Sequence, residues 1–335
     1  MRDTFVDRLK GYACFLVVFG HVIMGIRIAG VEVPSFFYIL EKFIWSFHVA
    51  LFLFLSGYVY QITGGWRSKE TKWNFIKYKL INLGIPYLIF SVIYILINSF
   101  ISSANTQFSA ADILWLWKSP VAQYWFLYAL FFLFCIWTAL ADVLKDRQIA
   151  ILMILVGYAA PMFGISFGPF EVVMYSALAF GAGTFVKLSY LKKGNIFVKL
   201  LVITGHVLAG VFLAHFDMLG YPIIKETMML LGIYASILFI SLLEQYRPVD
   251  FFLEFVNRYS FQIYLLHTIF TAGIRIVLIR MNVTQWFIHV ICGCIFGIGM
   301  SAVLAYAAKR ILFFNLCFFP TKTFRELANK KRSKQ

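Results

Sequence analysis

The sequence predicts an all-α polytopic membrane protein, a bundle of about ten transmembrane helices with both termini in the cytoplasm. Hydrophobic residues make up 61% of the 335 residues and charged residues only 13%, a balance that excludes an ordinary soluble domain. Apolar stretches close to the roughly 20 residues needed to cross a bilayer recur along the chain. They are continuously apolar rather than alternating, which favours helical spans over the strands of a barrel.

Ten apolar stretches are long enough to be considered as spans. They lie at about 11–30, 43–63, 80–101, 120–142, 149–163, 171–190, 196–214, 224–243, 259–279 and 286–308. The fifth is short and the sixth is interrupted by small residues. The longer outer segments, about 31–42 and 102–119, are expected to carry short interfacial helices, since Trp115 and Trp117 suit a membrane interface.

The distribution of basic residues supports this topology. With both termini in the cytoplasm, 24 of the 30 Lys and Arg residues fall in cytoplasmic segments, as the positive-inside rule requires. The net charge of +15 is therefore mostly a topology signal. Nucleic-acid binding is a poor explanation, because the charge is divided among many short loops. We expect one membrane domain over 1–310 and a basic cytoplasmic tail over 311–335 that lies against anionic lipid.

Histidines within the predicted spans indicate a functional site, because a titratable ring is costly inside a bilayer. His21 lies in the first span and His267 in the ninth. Lys10 and His21 share a helix face and are roughly 16 Å apart along the axis. Such a pair could hold an anionic ligand at the cytoplasmic rim and do proton chemistry further in. Equally, Lys10 could only anchor the helix while His21 hydrogen-bonds a neighbouring helix.

Two further segments have both a functional and a structural interpretation. His48 is expected near the outer end of the second span, where it could meet an extracellular acceptor, and Gly57 permits close helix packing. Taken alone, the segment is more simply an interfacial histidine and a packing notch. Lys77 and Lys79, in the basic run that leads into the third span, could bind phosphates or lipid headgroups.

Two other spans carry aromatic and polar residues that are further candidates for a functional site. Trp125 could stack on a sugar, although an interface anchor is the commoner role. Ser260, Tyr264 and His267 fall at positions i, i+4 and i+7 after Arg258, on one stripe of a helix. A polar stripe inside a bundle is costly unless it lines a cavity or a satisfied network. The five cysteines lie in or beside apolar spans, and we predict neither a disulfide nor a metal site.

Taken in order, these segments resemble membrane-bound acyltransferase family 3, particularly its short fucose 4-O-acetylase-like members. The family opening, Asp-x-x-Arg/Lys-Gly with a histidine ten residues beyond the basic residue, matches Asp7, Lys10, Gly11 and His21. The Phe-His-Met-Pro run matches 47–58, with Val-Ala in place of Met-Pro. The Trp-Phe-Leu and Ser-Tyr-x-Ile-Tyr-Leu-x-His motifs match 125–127 and 260–267, the latter with one Phe for Tyr. Lysines stand where many members carry an arginine pair.

The resemblance implies transfer of an acyl group, usually acetyl, from cytoplasmic acyl-CoA to a hydroxyl of an extracytoplasmic glycan or lipid-linked sugar. Acyl-CoA would be a donor substrate, with no bound cofactor, and the enzyme would lie in the inner (plasma) membrane. His21 would be the base that deprotonates the hydroxyl or the carrier of the acyl group, and both roles stay open. The implied roles are catalysis for His21, His267 and Lys10; CoA-phosphate binding for Lys10, Lys77, Lys79 and Arg258; and substrate contact for His48, Trp125, Ser260 and Tyr264.

Two interpretations from other classes of protein compete with the enzyme. A proton-coupled carrier or flippase for a glycan or lipid would use the histidines as a relay. Such carriers more often show broken helices at matching places in two halves of the chain, and no internal repeat is visible here. A structural subunit of an envelope assembly is the third possibility.

Overall fold

The computed structural model describes residues 3–100, 108–308, 311–324 and 326. Within these residues the chain forms α-helices and no strands, as predicted. The helices are α1 (Thr4–Ile28), α2 (Phe36–Trp45), α3 (His48–Ile62), α4 (Lys72–Lys79), α5 (Ile85–Phe100), α6 (Trp125–Leu140), α7 (Asp146–Met162), α8 (Glu171–Phe185), α9 (Leu188–Leu191), α10 (Ile196–His215), α11 (Pro222–Leu243), α12 (Arg247–Arg258), α13 (Ser260–Arg280), α14 (Trp286–Ala308) and α15 (Leu312–Phe318).

Eight helical stretches among the described residues are long and apolar enough to cross a membrane, so the protein is a multi-pass membrane protein. They are Thr4–Ile28, Phe36–Ile62, Lys72–Ser99, Ala122–Leu140, Ile196–His215, Pro222–Leu243, Ser260–Arg280 and Trp286–Ala308. The predicted spans at 149–163 and 171–190 coincide with α7 and α8. With 17 and 15 residues, these two helices are shorter than the eight candidate spans.

The outer segment at 31–42 holds the start of a short helix, α2, and its position at the membrane interface stays a prediction. The apolar stretch that contains α2 runs on through α3 to Ile62. Phe37 and Ile44 of α2 are buried against Ile23 of α1, so this helix packs on α1. In the other outer segment, residues 102–107 lie outside the described residues, and Ala110–Trp115 forms a 3₁₀-helix.

The chain divides into two compact units. The first comprises Met1–Val59, Pro161–Phe163 and Ala179–Ala302, and the second comprises Tyr60–Ala160, Gly164–Leu178 and Val303–Gln335. The separation of a membrane domain at 1–310 from a tail at 311–335 stays a prediction.

In the first unit, α12 and α13 run alongside α1 in the same direction. Arg8 of α1 forms a 2.7 Å ion pair with Asp250 of α12. One turn on, Gly11 lies so close to the backbone of Leu253 that a Cβ there would overlap its carbonyl oxygen. Further along, the Cys14 thiol lies 3.8 Å from the Ser260 carbonyl at the start of α13. With this register, α13 begins beside Cys14 of α1 and runs along the second half of that helix.

In the second unit, the beginning of the predicted tail packs against α5. The rings of Phe90 and Phe318 stack with centroids 5.6 Å apart. The side-chain amide of Asn82 donates to the Thr321 hydroxyl at 2.5 Å. The described part of the tail is therefore helical and packed on protein. Residues 327–335, which hold four of its basic residues, lie outside the described residues.

Glycines allow α3 and α8 to cross at backbone contact in the first unit. A Cβ at Gly57 would overlap the Phe180 carbonyl, and one at Gly183 would overlap the Phe54 carbonyl. Small residues permit such close approach of helices in membranes. The packing notch predicted at Gly57 is confirmed.

We expect Gly183→Ala to lower the free energy of unfolding by about 1–3 kcal/mol, because the added methyl must push two backbones apart. The measurement is unfolding of the purified protein in mixed micelles. Gly205→Ala is the matched control, since Gly205 also lies in a membrane helix but has no atom within 4 Å of a Cβ built there. Equal stability of the two variants would contradict the proposed backbone contact.

Candidate active site

Three histidines from three helices lie together in the first unit. The His21 ring of α1 and the His267 ring of α13 are nearly perpendicular, with centroids 4.9 Å apart. The Trp45 ring at the end of α2 lies 5.3 Å from His21 and 5.1 Å from His48, the first residue of α3. These four rings, which we call the histidine cluster, form a continuous chain of ring contacts.

Each histidine of the cluster is held by a hydrogen bond to a backbone carbonyl one turn earlier, on the same helix for His21 and His267 and on the preceding helix α2 for His48. The Nδ1 atoms of His21, His48 and His267 lie 2.9, 2.9 and 2.8 Å from the carbonyl oxygens four residues earlier. A carbonyl oxygen can only accept, so Nδ1 carries the hydrogen in every ring. In a neutral imidazole the lone pair then resides on Nε2, which is the basic and nucleophilic atom.

The three rings differ in exposure. His48 and His267 are fully buried, whereas His21 is partly exposed. Within the described part of the chain, Nε2 of His48 and Nε2 of His267 have no hydrogen-bond partner. A buried acceptor without a donor is costly, and polar rings inside a membrane are typical of functional sites. His21 is therefore the one histidine of the three that has accessible surface.

Close packing around the cluster sets the separation of its helices. Val18 and Val22 of α1 share a core with Ile263 of α13 and Ile298 of α14. At Gly297 of α14, a Cβ would lie 3.0 Å or less from side-chain atoms of α1 and α13. This contact holds α14 against the pair of helices that carry His21 and His267.

His48 lies deeper than the sequence predicted. It was expected near the outer end of a span at 43–63, but the helical stretch begins at Phe36, twelve residues before it. The cause is the packing of α2 on α1, which the apolar run alone did not reveal. His48 is therefore part of the buried cluster and does not lie at the outer surface.

The other candidate residues of the first unit lie on α1 and on the two helices that run beside it. Lys10 is partly exposed on α1, eleven residues before His21. Arg258 ends α12 and is exposed, between the points where α1 meets Leu253 and Ser260. The Tyr264 carbonyl accepts a second contact, at 3.0 Å, from Nδ1 of His267.

The remaining candidates belong to the second unit. The Lys79 ammonium lies 3.7 Å from the centroid of the Phe134 ring, and the Lys77 ammonium lies 5.0 Å from that of Trp73. Both are cation–π contacts. Trp125 begins α6 and packs edge-on against Phe126 at 6.4 Å.

Sequence reasoning missed Trp45. It stands three residues before His48 and two residues before the motif at 47–58, so proximity to that motif was the available signal. The contact with His21 could not be inferred, because it depends on how α2 packs against α1.

Eight apolar spans and a histidine cluster within them define a multi-pass membrane enzyme candidate. An acyltransferase domain model, that of the acyltransferase 3 family, matches residues 3–306, about nine-tenths of the chain. The chain belongs to this family, and it is a membrane enzyme that transfers acyl groups. No curated protein and no solved structure matches it significantly. The family match favours the acyltransferase interpretation over the carrier.

Proposed function

We propose that this protein transfers an acyl group, usually acetyl, from cytoplasmic acyl-CoA to a hydroxyl of a cell-envelope or exported glycan, in the inner (plasma) membrane. The observation that carries the proposal is the His21 ring. Its Nδ1 is held by the Val17 carbonyl, its Nε2 is the nitrogen proposed to react, and it is the histidine of the cluster that is not fully buried.

His21 can act through Nε2 in two ways. As a base, it takes the proton of the acceptor hydroxyl while the oxygen attacks the thioester carbonyl, and the CoA thiolate leaves and is reprotonated. As a nucleophile, it attacks the thioester first and forms an acyl-imidazole as the CoA thiolate leaves; the acceptor oxygen then attacks the acyl carbon, the bond to Nε2 breaks, and the thiolate takes up the hydroxyl proton. Both routes use the same nitrogen, because the Val17 carbonyl occupies the other.

His267 and His48 are proposed to support His21. The perpendicular His267 ring restricts the orientation of the His21 ring. The Nε2 atoms of both buried rings are acceptors that face no donor among the described residues. They are suited to receive a hydrogen bond from an imidazolium or an acceptor hydroxyl during turnover. Ser260 and Tyr264 are proposed to line the approach to His21. An acceptor contact by Trp125, which belongs to the second unit, stays a separate proposal.

Lys10 and Arg258 are proposed to bind the phosphates of CoA. Phosphate binding by Lys77 and Lys79, which belong to the second unit, stays a separate proposal. Charge-assisted contacts of ammonium and guanidinium groups with phosphate are strong. Lys10 lies roughly 16 Å from His21 along α1, a separation that an extended pantetheine arm can span. The thioester would then reach Nε2 while the nucleotide stays at the rim.

We propose ten crossings with both termini cytoplasmic. The 24-to-6 division of Lys and Arg supports this orientation. Parallel α1 and α13 require an odd number of crossings between them, so α7 and α8 either both cross or both fail to cross. At 1.5 Å per residue the 17-residue α7 is roughly 25 Å long, enough for a thin bilayer or a locally thinned one.

His21→Ala should abolish transfer of radiolabelled acetyl from acetyl-CoA to envelope glycan, because it removes the reacting nitrogen. Expression and detergent-solubilised monodispersity should be unchanged. His215→Ala, at the exposed end of α10, is the control and should retain activity. Near-normal transfer by His21→Ala would sink the assignment.

Lys10→Gln and the pair Lys77→Gln with Lys79→Gln should weaken binding of acetyl-CoA, each lost charged contact costing about 1.5–3 kcal/mol. The loss should be smaller for the dephospho form of the donor, which lacks one phosphate. Lys118→Gln, placed outside by the proposed topology, is the matched control. Donor affinities that do not change, measured by equilibrium binding, would locate the phosphate site elsewhere.

Single cysteines in a cysteine-free background test the topology with a membrane-impermeant maleimide on intact cells. Ala111→Cys and Ser166→Cys should be labelled, and Ser68→Cys should not. Ser166 lies between α7 and α8, so its protection alongside labelling of position 111 would reduce the crossings to eight. Labelling at position 68 would reverse the orientation.

A further inference from the structure

One face of α2 carries aromatic and charged residues above the histidine cluster. Tyr38, Glu41 and Trp45 fall at i, i+3 and i+7 of this helix, which places them on one stripe. Trp45 is 40% exposed and Tyr38 is 49% exposed. A tryptophan that combines this exposure with ring contacts to His21 and His48 differs from an interface anchor, since it borders the reacting residue.

The same stripe holds a paired acid and base. The guanidinium of Arg27 binds the Glu41 carboxylate through two nitrogens, at 2.7 and 2.9 Å. The Arg27 guanidinium carbon also lies 5.7 Å from the centre of the Tyr38 ring. Arg27 is six residues beyond His21, roughly 9 Å along α1, and Glu41 is roughly 6 Å along α2 from Trp45. The ion pair therefore lies between the outer end of α1 and the histidine cluster.

We propose that Trp45, Tyr38 and the Arg27–Glu41 pair form the acceptor subsite of the proposed acyl transfer, and that this subsite takes an uncharged pyranose ring. The inference rests on the proposed function and names its acceptor class. A flat indole offers a face to the C–H side of a sugar ring, and the planar guanidinium and carboxylate can donate to and accept from its hydroxyls.

Charge and position distinguish this ligand from other candidates. The opposite charges of Arg27 and Glu41 cancel, so the subsite has no excess charge to select an anionic sugar or the phosphates of CoA. A fatty acyl chain would leave both charged groups without new hydrogen bonds. A neutral sugar stacked on Trp45 would present a hydroxyl to Nε2 of His21, because the centres of the Trp45 and His21 rings are 5.3 Å apart.

The test uses the full-length protein in lipid nanodiscs, radiolabelled acetyl-CoA, and methyl glycosides of neutral hexoses and of hexuronic acids as acceptor probes. Trp45→Ala should raise the KM for the neutral glycoside about tenfold, equivalent to about 1.4 kcal/mol, and leave the KM for acetyl-CoA unchanged. Trp45→Phe should have a KM for the neutral glycoside between those of the wild type and Trp45→Ala, because a smaller ring still stacks. Glu41→Gln should also raise the acceptor KM, since it breaks the pair with Arg27.

Two control variants make the same chemical changes away from the stripe. Trp117→Ala removes an indole of the second unit that is 64% exposed. Asp217→Asn breaks the exposed outer ion pair with Lys42. Both should keep the acceptor KM of the wild type. An unchanged donor KM in Trp45→Ala shows that this variant is folded.

Three results would overturn the subsite: an acceptor KM unchanged in Trp45→Ala, a donor KM raised instead, or a preference for the hexuronides. Acetylation of a membrane-lipid extract without acetylation of any methyl hexoside would overturn the acceptor class and leave the acyl-CoA donor intact. Failure of the wild type to consume acetyl-CoA with any acceptor would instead count against the proposed function itself.

Discussion

Each histidine of the cluster gives its Nδ1 hydrogen to a carbonyl four residues earlier, on the same helix for His21 and His267 and on the preceding helix α2 for His48. The bond is local in sequence, and it sets the tautomer. It leaves a lone pair on Nε2, the nitrogen further from the helix backbone. Inside a membrane, where water is not available to compensate, the proposed proton or acyl transfer would take place at this nitrogen.

The cluster depends on how α1 is held. The Arg8–Asp250 ion pair and the contact at Gly11 place α12 along the first turns of α1, and α13 then follows without a long connection. A side chain larger than hydrogen at position 11 would displace α12, and with it the start of α13. The meeting of His21 and His267 is thus a consequence of contacts made some ten residues earlier.

The exposed side of the cluster is shaped by α2. Because α2 is continuous with α3 in one membrane stretch, it brings Trp45 and His48 to the depth of His21. The Arg27–Glu41 pair joins α1 to α2 on the outer side of the same cluster. Along α1 and α2, this arrangement places in succession the His21 ring, the exposed Trp45 indole and the Arg27–Glu41 ion pair.

Local sequence determined the apolar spans, the all-helical class, the spacing of Lys10 from His21 and the ordered motifs that indicate the family. These features need only hydropathy and helical periodicity, which act within one helix. The depth of His48, the position of Trp45 beside His21 and the register of α12 along α1 were decided by tertiary structure. Helical periodicity determines how far along its own helix a residue lies and on which face. Which faces meet depends on the fit between distant segments, such as Gly11 with Leu253 or Phe37 with Ile23, and no local pattern encodes that fit.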